Sequence, residues 1–218
     1  MPPIVDPTNA DVEQKPVVLV IDDDMSVRES LAQLFRSVGL LVKAFASTAE
    51  FLQDPLPDAP RCLVLDIRLS GHSGLDFQSY LNKANIRIPI VFMTGYGDIP
   101  MTVRAMKAGA VEFLQKPFRD QDILDAVQAG LDQDRDWRQG AIDTLRLKAS
   151  FDSLTLREQE TMGYVTSGLM NKQIAGEMDV SEITVKVHRG RVMRKMGATS
   201  LAELVRMADA LSVRRIGK

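Results

Sequence analysis

The sequence of 218 residues has one cysteine, two histidines and one tryptophan, and aromatic residues make up only 6% of it. A single cysteine, Cys62, excludes an intramolecular disulfide, and its place in the apolar run RCLVL reads as a core filler rather than a nucleophile. The histidines stand alone. His72 reads as a loop residue and His188 as a packing residue at a core edge, so neither points to a metal site. No uninterrupted apolar run approaches the roughly 20 residues that cross a bilayer. The polar start, MPPIVDPTNADVEQK, lacks the apolar core of a signal peptide, so a cytoplasmic location with no membrane partner is expected. A large charge excess is missing too, since 27 Lys and Arg face 29 Asp and Glu, a net charge of -2.

What is present divides in two. Residues 150–218 hold eleven Lys and Arg against eight Asp and Glu, net +3, which leaves residues 1–149 at -5. An acidic front and a basic tail point to separate tasks, with nucleic acid the natural partner of the tail. With 45% hydrophobic residues the chain can bury a core, and its length suits one or two domains. Short β-branched runs (VVLVI at 17–21, LVKAF at 41–45, CLVL at 62–65, IPIVFM at 88–93, VEFL at 111–114) alternate with helical periodicity. Ser26 with Glu29 and Ser47 with Glu50 have capping-box spacing. The expected fold is an α/β doubly wound, five-stranded parallel sheet over residues 15–133, followed by a smaller all-α domain.

Residues 134–149 are charged and read as a helical or partly helical linker, with Gly140 as a possible interruption. From 150 to 213 only helical signals remain: Thr155 with Glu158, a stop at Gly168, Ser181 before a long helix, and Ser200 with Glu203.

In an open parallel sheet, ligands bind beyond the carboxyl ends of the strands. Asp22 and Asp23 end the first strand, Asp66 the third, and Thr94 the fourth, while Lys116 follows the fifth. Clustered carboxylates repel, and a hard divalent cation such as Mg²⁺ relieves them. One carboxylate can then take a phosphoryl group, with Thr94 and Lys116 gripping its oxygens. Asp24 reads as the cap of a helix that starts near Met25. Taken singly, Thr94 reads as a capping hydroxyl and Lys116 as a surface charge, but with Asp22, Asp23 and Asp66 the constellation favours the functional reading; Phe113, on a buried strand, reads as core.

IDDD at 21–24, LVLDIRLSGHSG at 63–74, MTGYGD at 93–98 and QKPF at 115–118 resemble the phosphate-receiver domain of two-component response regulators. The intervals agree: 43 residues from Asp23 to Asp66, 28 to Thr94 and 22 to Lys116. With its tail and the run GDIPMTVRAMKAGA, the chain resembles regulators of the FixJ and StyR type. That resemblance implies Asp66 as phosphoacceptor and Mg²⁺ held by Asp22, Asp23, Asp66 and the Arg68 backbone carbonyl. It also implies Thr94 moving inward on activation, Phe113 as the switch aromatic and a cis Lys116–Pro117 bond. The receiver would catalyse its own phosphorylation and slow dephosphorylation without being a turnover enzyme. Ser70 stands where the family usually has proline, and Ser70–Gly71 should loosen that loop and alter the rate of phosphorylation or hydrolysis.

In NKQIAGEMDVSEITVKVHRGRVMRKMG, residues 171–197, a short helix, a polar turn and a longer helix give the helix-turn-helix layout. At 100° per residue, Val185, Val192 and Met196 face inward. Val187, Gly190 and Arg194 face outward, flanked by Lys186 and Arg191. Lys186 and Val187 are expected at base edges, Lys186 by hydrogen bonds and Val187 against a thymine methyl, with Arg191, Arg194 and Lys195 at phosphates and Gly190 at a gap allowing close approach. Lys172, Thr184 and Arg189 complete the candidate DNA contacts. SLTLREQETM, GLMNKQIAGEMDVSEITVKVHR and SLAELVRMA resemble the LuxR and NarL type of DNA-binding domain, which implies four helices, the third as reader, and a dimer on paired half-sites.

A metal-dependent phosphohydrolase also gathers aspartates at strand ends, but DIRLS lacks the second aspartate of a common aspartyl-phosphatase motif. A regulator that had lost phosphotransfer would be missing Asp23, Asp66, Thr94 or Lys116, and all four are present. The remaining reading is a transcription factor switched by a sensor histidine kinase. Phosphorylation would shift a population toward a homodimer through the fourth helix, last strand and fifth helix, on double-stranded promoter DNA where RNA polymerase is engaged.

Overall fold

The structure is a computed structural model that describes residues 15–69, 72–95 and 99–213, with the His72 side chain excluded. The expectations for the loop at Ser70 and Gly71, and for Tyr96 to Asp98 of MTGYGD, lie outside the described residues, as does the stretch 1–14. The chain divides into two compact units, Met1–Arg138 and Gln139–Lys218.

The first unit holds β1 (Val17–Ile21), α1 (Met25–Ser37), β2 (Leu41–Phe45), α2 (Thr48–Gln53) and β3 (Arg61–Asp66). The two-residue strands β4 (Arg68–Leu69) and β5 (His72–Ser73) follow, then α3 (Gly74–Lys83), β6 (Ile90–Thr94), α4 (Ile99–Lys107), β7 (Glu112–Gln115) and the start of α5 (Asp120–Asp152). The main sheet has order β2-β1-β3-β6-β7, parallel throughout. β4 and β5 form a small antiparallel pair that periodicity did not foresee, because two residues are too short to carry a pattern.

The central strands read as unbroken apolar runs because both faces are covered. Val17, Leu19, Ile21, Leu63, Leu65 and Phe92 pack with Phe51 of α2, Leu75 and Leu81 of α3, and Ala105 of α4. Their neighbours Val18, Val20, Cys62, Val64, Val91 and Met93 point the other way, onto Leu31 and Phe35 of α1 and Ile123, Val127 and Leu131 of α5. Cys62 is the expected core filler, and burial pushes its thiol pKa far above the ordinary value. A Cβ on Gly130 would come within 2.5 Å of Cys62 Sγ, so α5 approaches the sheet there only because residue 130 lacks one.

Two start signals need correction or qualification. α1 is capped by Asp24, whose carboxylate accepts from Ser26 N at 2.8 Å, so Ser26 lies inside the helix and the Ser26–Glu29 box does not form. A carboxylate at the N-cap also meets the positive end of the helix dipole, which favours Asp24 over the hydroxyl two residues on. Ser47 caps α2 as expected, with the Glu50 carboxylate returning to Ala46 N. The segment around Gly140 is continuous helix, since α5 runs unbroken for 33 residues. One glycine costs a helix about 1 kcal/mol, too little to break one held at both ends by packing. Asp134 anchors its end in the first unit, accepting from Arg61 N at 3.0 Å and Arg138 Nε at 2.7 Å.

The second unit contains the end of α5, then α6 (Leu156–Thr166), α7 (Asn171–Met178), α8 (Glu182–Met196) and α9 (Leu201–Ala210). Its core gathers Met162, Val165, Ile174, Val185, Val192, Met196 and Leu204. Thr155 and Glu158 form a complete capping box, and Ser181 and Ser200 cap α8 and α9. Between α7 and α8, Asp179 turns the chain in the left-handed region at φ 53°. Asp tolerates this conformation better than branched residues do. No helix among the described residues is long and apolar enough to cross a membrane.

Candidate functional site

The strand order reverses direction between β1 and β3; Asp22 directly follows β1 and Asp66 ends β3. β6 follows β3 in the sheet and ends at Thr94; β7 follows β6, and Lys116 comes immediately after it. Four neighbouring strands thus deliver their terminal side chains to one rim. Carboxylate oxygens of Asp22, Asp23 and Asp66 lie within 4.8 Å of one another. Lys116 Nζ reaches Asp22 Oδ2 at 2.7 Å and Asp66 Oδ2 at 2.9 Å. Its backbone N–H donates to the Thr94 carbonyl at 2.8 Å, which ties the hydroxyl-bearing strand end to the lysine.

Burial and charge oppose each other in this cluster. Asp22 is wholly buried, Asp66 nearly so, and Asp23 is exposed. Loss of hydration raises the Asp22 carboxyl above its ordinary pKa, against the downward pull of Lys116 and of the Asp24 N–H that donates to its Oδ1 at 2.9 Å. Burial works to lower the Lys116 ammonium pKa, but the hydrogen bonds to Asp22 and Asp66 outweigh it and the net direction is upward. Asp66 has one oxygen toward Lys116 and the other accepting from Arg68 N at 3.0 Å. The three carboxylates gathered here offer anionic oxygens, which suit a hard divalent ion better than a soft one.

Phe113 is half-buried against the α2–α3–α4 side of the core, paired in register with Phe92. Lys116–Pro117 is cis, as the resemblance implied.

Two positions that matter to the site gave no signal strong enough to single out. Gly74, eight residues after Asp66, opens α3 against the Asp66 backbone: its N–H donates to Ile67 O at 2.8 Å, and a Cβ there would stand 2.5 Å from the Asp66 carbonyl oxygen. A glycine directly after the capping Ser73 was the available clue. Arg28, one helical turn into α1, donates to the Asp22 carbonyl at 2.7 Å and steadies the end of β1.

On α8 the expected division of faces holds geometrically. Val185, Val192 and Met196 are buried; Lys186, Val187, Gly190, Arg191 and Arg194 are exposed, as is Lys172 at the start of α7. His188 is half-buried with Nδ1 enclosed. Thr184 shares a hydrogen bond with Ser181, and Arg189 donates to Asn171 Oδ1 at 3.2 Å. The assignment of Lys195 to a phosphate runs against its position. Its ammonium is bound to buried Glu158 at 2.7 Å and to Ser153 O at 3.0 Å, a tie between α8 and α6 that charge counting along one helix cannot see.

Comparison with known proteins fits this geometry. A family model described as "Response regulator receiver domain" matches residues 18–128, and one described as "Bacterial regulatory proteins, luxR family" matches 152–208. Nodulation protein W of Bradyrhizobium diazoefficiens is 55% identical over 94% of this chain and 90% of its own. The transcriptional regulatory protein FixJ of Azorhizobium caulinodans is 45% identical over 88% and 90%. Among solved structures, the response regulator StyR shares 50% identity with a TM-score of 0.78, covering 90% of this chain and 99% of its own. The chain therefore belongs to the response regulators that join a receiver domain to a LuxR-type DNA-binding domain.

Proposed function

We propose that Asp66 accepts a phosphoryl group from a sensor histidine kinase and that this switches the C-terminal domain onto promoter DNA. The observation that carries the reading is the meeting of Asp22, Asp23 and Asp66 within 4.8 Å, with Lys116 Nζ at 2.7 and 2.9 Å from two of them. The residues fit Mg²⁺, which Asp22, Asp23, Asp66 and the Arg68 carbonyl would hold. Bound there, it would offset the carboxylates and the phosphoryl charge. An Asp66 carboxylate oxygen attacks phosphorus, the P–N bond of the donor phosphohistidine breaks, and its electron pair returns to the imidazole nitrogen, which takes up a proton. Lys116 pairs with a phosphoryl oxygen and the Thr94 hydroxyl donates to another, both acting on charge spread over the transferring group.

In the same proposal, Thr94 moving toward the phosphoryl group opens space for Phe113 beneath it, and the surface of α4, β7 and α5 becomes a homodimer face. Two α8 helices then meet adjacent half-sites, with Lys186 and Val187 at base edges, Arg191, Arg194, Arg189 and Lys172 near phosphates, Thr184 beside them and Gly190 at the closest approach. Lys195 is left out of this set because Glu158 holds it. The domain scheme is 15–133 receiver, 134–149 helical linker and 150–213 DNA-binding domain. Contact with RNA polymerase and a cytoplasmic setting belong to the same proposal.

Intact mass after incubation with a small phosphodonor tests it. One added phosphoryl group is expected, requiring Mg²⁺ and absent from Asp66→Asn. Modification without Mg²⁺, or undiminished in Asp66→Asn, would exclude this site. Sedimentation with and without the donor then checks dimerisation.

A further inference from the structure

Basic residues flank the outward face of α8, but its centre line is of another kind. Ile183, Val187, Gly190 and Arg194, at i, i+4, i+7 and i+11, fall within about 60° of one another, opposite Val185, Val192 and Met196. All four are exposed, Ile183 at 77% and Val187 at 47%. Along the helix the stripe is graded: two β-branched apolar groups in the opening turns, then no side chain, then a guanidinium.

Single exposed apolar residues are ordinary and need no explanation. This pair has three further properties. It sits directly after the helix-turn-helix turn, at the end of a reading helix that meets base edges. It is bordered by Lys186 and Arg191, with Arg194 beyond, so the partner that complements the surroundings is a polyanion. Finally, Gly190 meets no demand of the domain itself: φ there is not positive, and an added Cβ would find nothing within 4 Å. Glycine is unfavourable inside a helix, so the missing side chain answers to something outside that comes close to the backbone.

On a duplex, the apolar group facing a major-groove helix is the thymine 5-methyl. The contact of Val187 with a thymine methyl belongs to the DNA-binding reading; we propose that Ile183, one turn earlier, reads a second thymine methyl, so that two positions of each half-site are chosen by apolar contact, with Ile183 a specificity-determining residue. Four residues of helix rise about 6 Å, which sets the two thymines no more than about two base-pair steps apart. This inference rests on the DNA-binding reading above.

The test begins with the full-length protein, phosphorylated with a small donor, selecting duplexes from a random-sequence library. Each thymine of the enriched duplex is then replaced by uracil, which keeps every hydrogen bond and removes only the methyl. Replacement at two positions is expected to weaken binding by about fourfold each, the transfer value of one methyl-sized group. One loss should vanish in Ile183→Ser and the other in Val187→Ser. Both side chains are exposed, so unchanged thermal melts are expected and folding is not confounded. An enriched duplex indifferent to uracil everywhere, or losses undiminished in Ile183→Ser, would overturn the inference while leaving DNA binding intact. Loss of transcription in Ile183→Ser without loss of methyl dependence would assign the residue to a protein partner and overturn it equally. Failure to enrich any duplex would sink the underlying reading and the inference with it.

Discussion

The two units place their working residues differently with respect to their cores. In the receiver, Asp22 and Thr94 have no exposed surface, and the same residues that form the site also hold the fold: the Asp22 carboxylate accepts from the Asp24 amide and its backbone carbonyl from Arg28, and the Thr94 carbonyl accepts from the Lys116 amide. In the C-terminal unit, the outward residues of α8 lie across the helix from Val185, Val192 and Met196, so packing and the proposed recognition use opposite sides. Strand ends converge on a point, and a site made there is enclosed; a helix has two faces and can divide the tasks. Substitutions should therefore change stability and function together in the first unit and separately in the second.

The largest expected effect on stability tests the enclosed half. Gly74→Ala forces a Cβ to within 2.5 Å of the Asp66 carbonyl, where backbone rather than a flexible side chain must give way. We expect a loss of about 2 to 3 kcal/mol in denaturant unfolding of the receiver, in the range of overpacked sites. Phosphorylation should slow as well, because α3 presses on Asp66, the proposed phosphoacceptor. Unchanged stability would mean that α3 can slide, and the entanglement of fold and site would be weaker than stated.

Lys195 is the residue of α8 that crosses from one category to the other. Lys195→Met leaves the Glu158 carboxylate, only 2% exposed, with the Thr155 N–H still donating to it at 2.9 Å. The expected loss is about 2 kcal/mol, below the roughly 3 to 5 kcal/mol of a fully buried pair because the Lys195 end is exposed. Lys195 first, and the Thr155 amide second, hold Glu158 below its ordinary pKa of 4.5. A depressed carboxyl contributes stability that is fully present above that ordinary value and is lost as pH falls through the lower folded one. Thermal melts between neutral pH and pH 3 should show this loss in the parent and a flatter dependence in Lys195→Met. If the variant instead melts like the parent and binds DNA more weakly, Lys195 belongs with the exposed set.

Asp22→Asn should move stability the other way. Burial raises the Asp22 pKa, so the folded state holds its proton more tightly than the unfolded chain; its stabilising contribution exists below the ordinary value of 3.8 and is lost as pH rises through the folded value. At neutral pH the ionised carboxylate opposes folding. A neutral amide should then raise stability in unfolding without Mg²⁺, while Mg²⁺-dependent phosphorylation is abolished. A destabilised Asp22→Asn would show that Lys116 contributes more than desolvation removes.

The parts of this division that were legible in the sequence are those with a local signature. The apolar runs fixed β1, β2 and β3 to within a residue, and the aspartates, Thr94 and Lys116 could be placed because a parallel sheet gathers its strand ends. The inward face of α8 followed from 3.6-residue periodicity alone. What escaped was set by partners remote in the chain. Nothing near Gly74 announces the Asp66 carbonyl, nothing near Gly130 announces Cys62, and Lys195 looked like its basic neighbours because Glu158 lies 37 residues away. The Ser26 cap failed for a nearer reason, since a spacing rule does not rank a hydroxyl against an aspartate two residues earlier.

The smallest effect bears on the exposed half most directly. Gly190 and Asp22 are alike in one respect, for each is a residue that the fold alone would replace. Gly190→Ala should raise the stability of the C-terminal unit by about 0.5 to 1 kcal/mol, since helix propensity improves and the new Cβ has open space around it. If the helix backbone approaches the duplex there, the same methyl should weaken binding of a selected duplex by about fivefold, roughly 1 kcal/mol of misfit. Stability and affinity would then move in opposite directions from one carbon atom, which is the separation that a two-faced helix permits and a rim of strand ends does not. Should affinity hold or improve, the gap in the stripe serves no close approach, and the outward face of α8 would be set by its side chains alone.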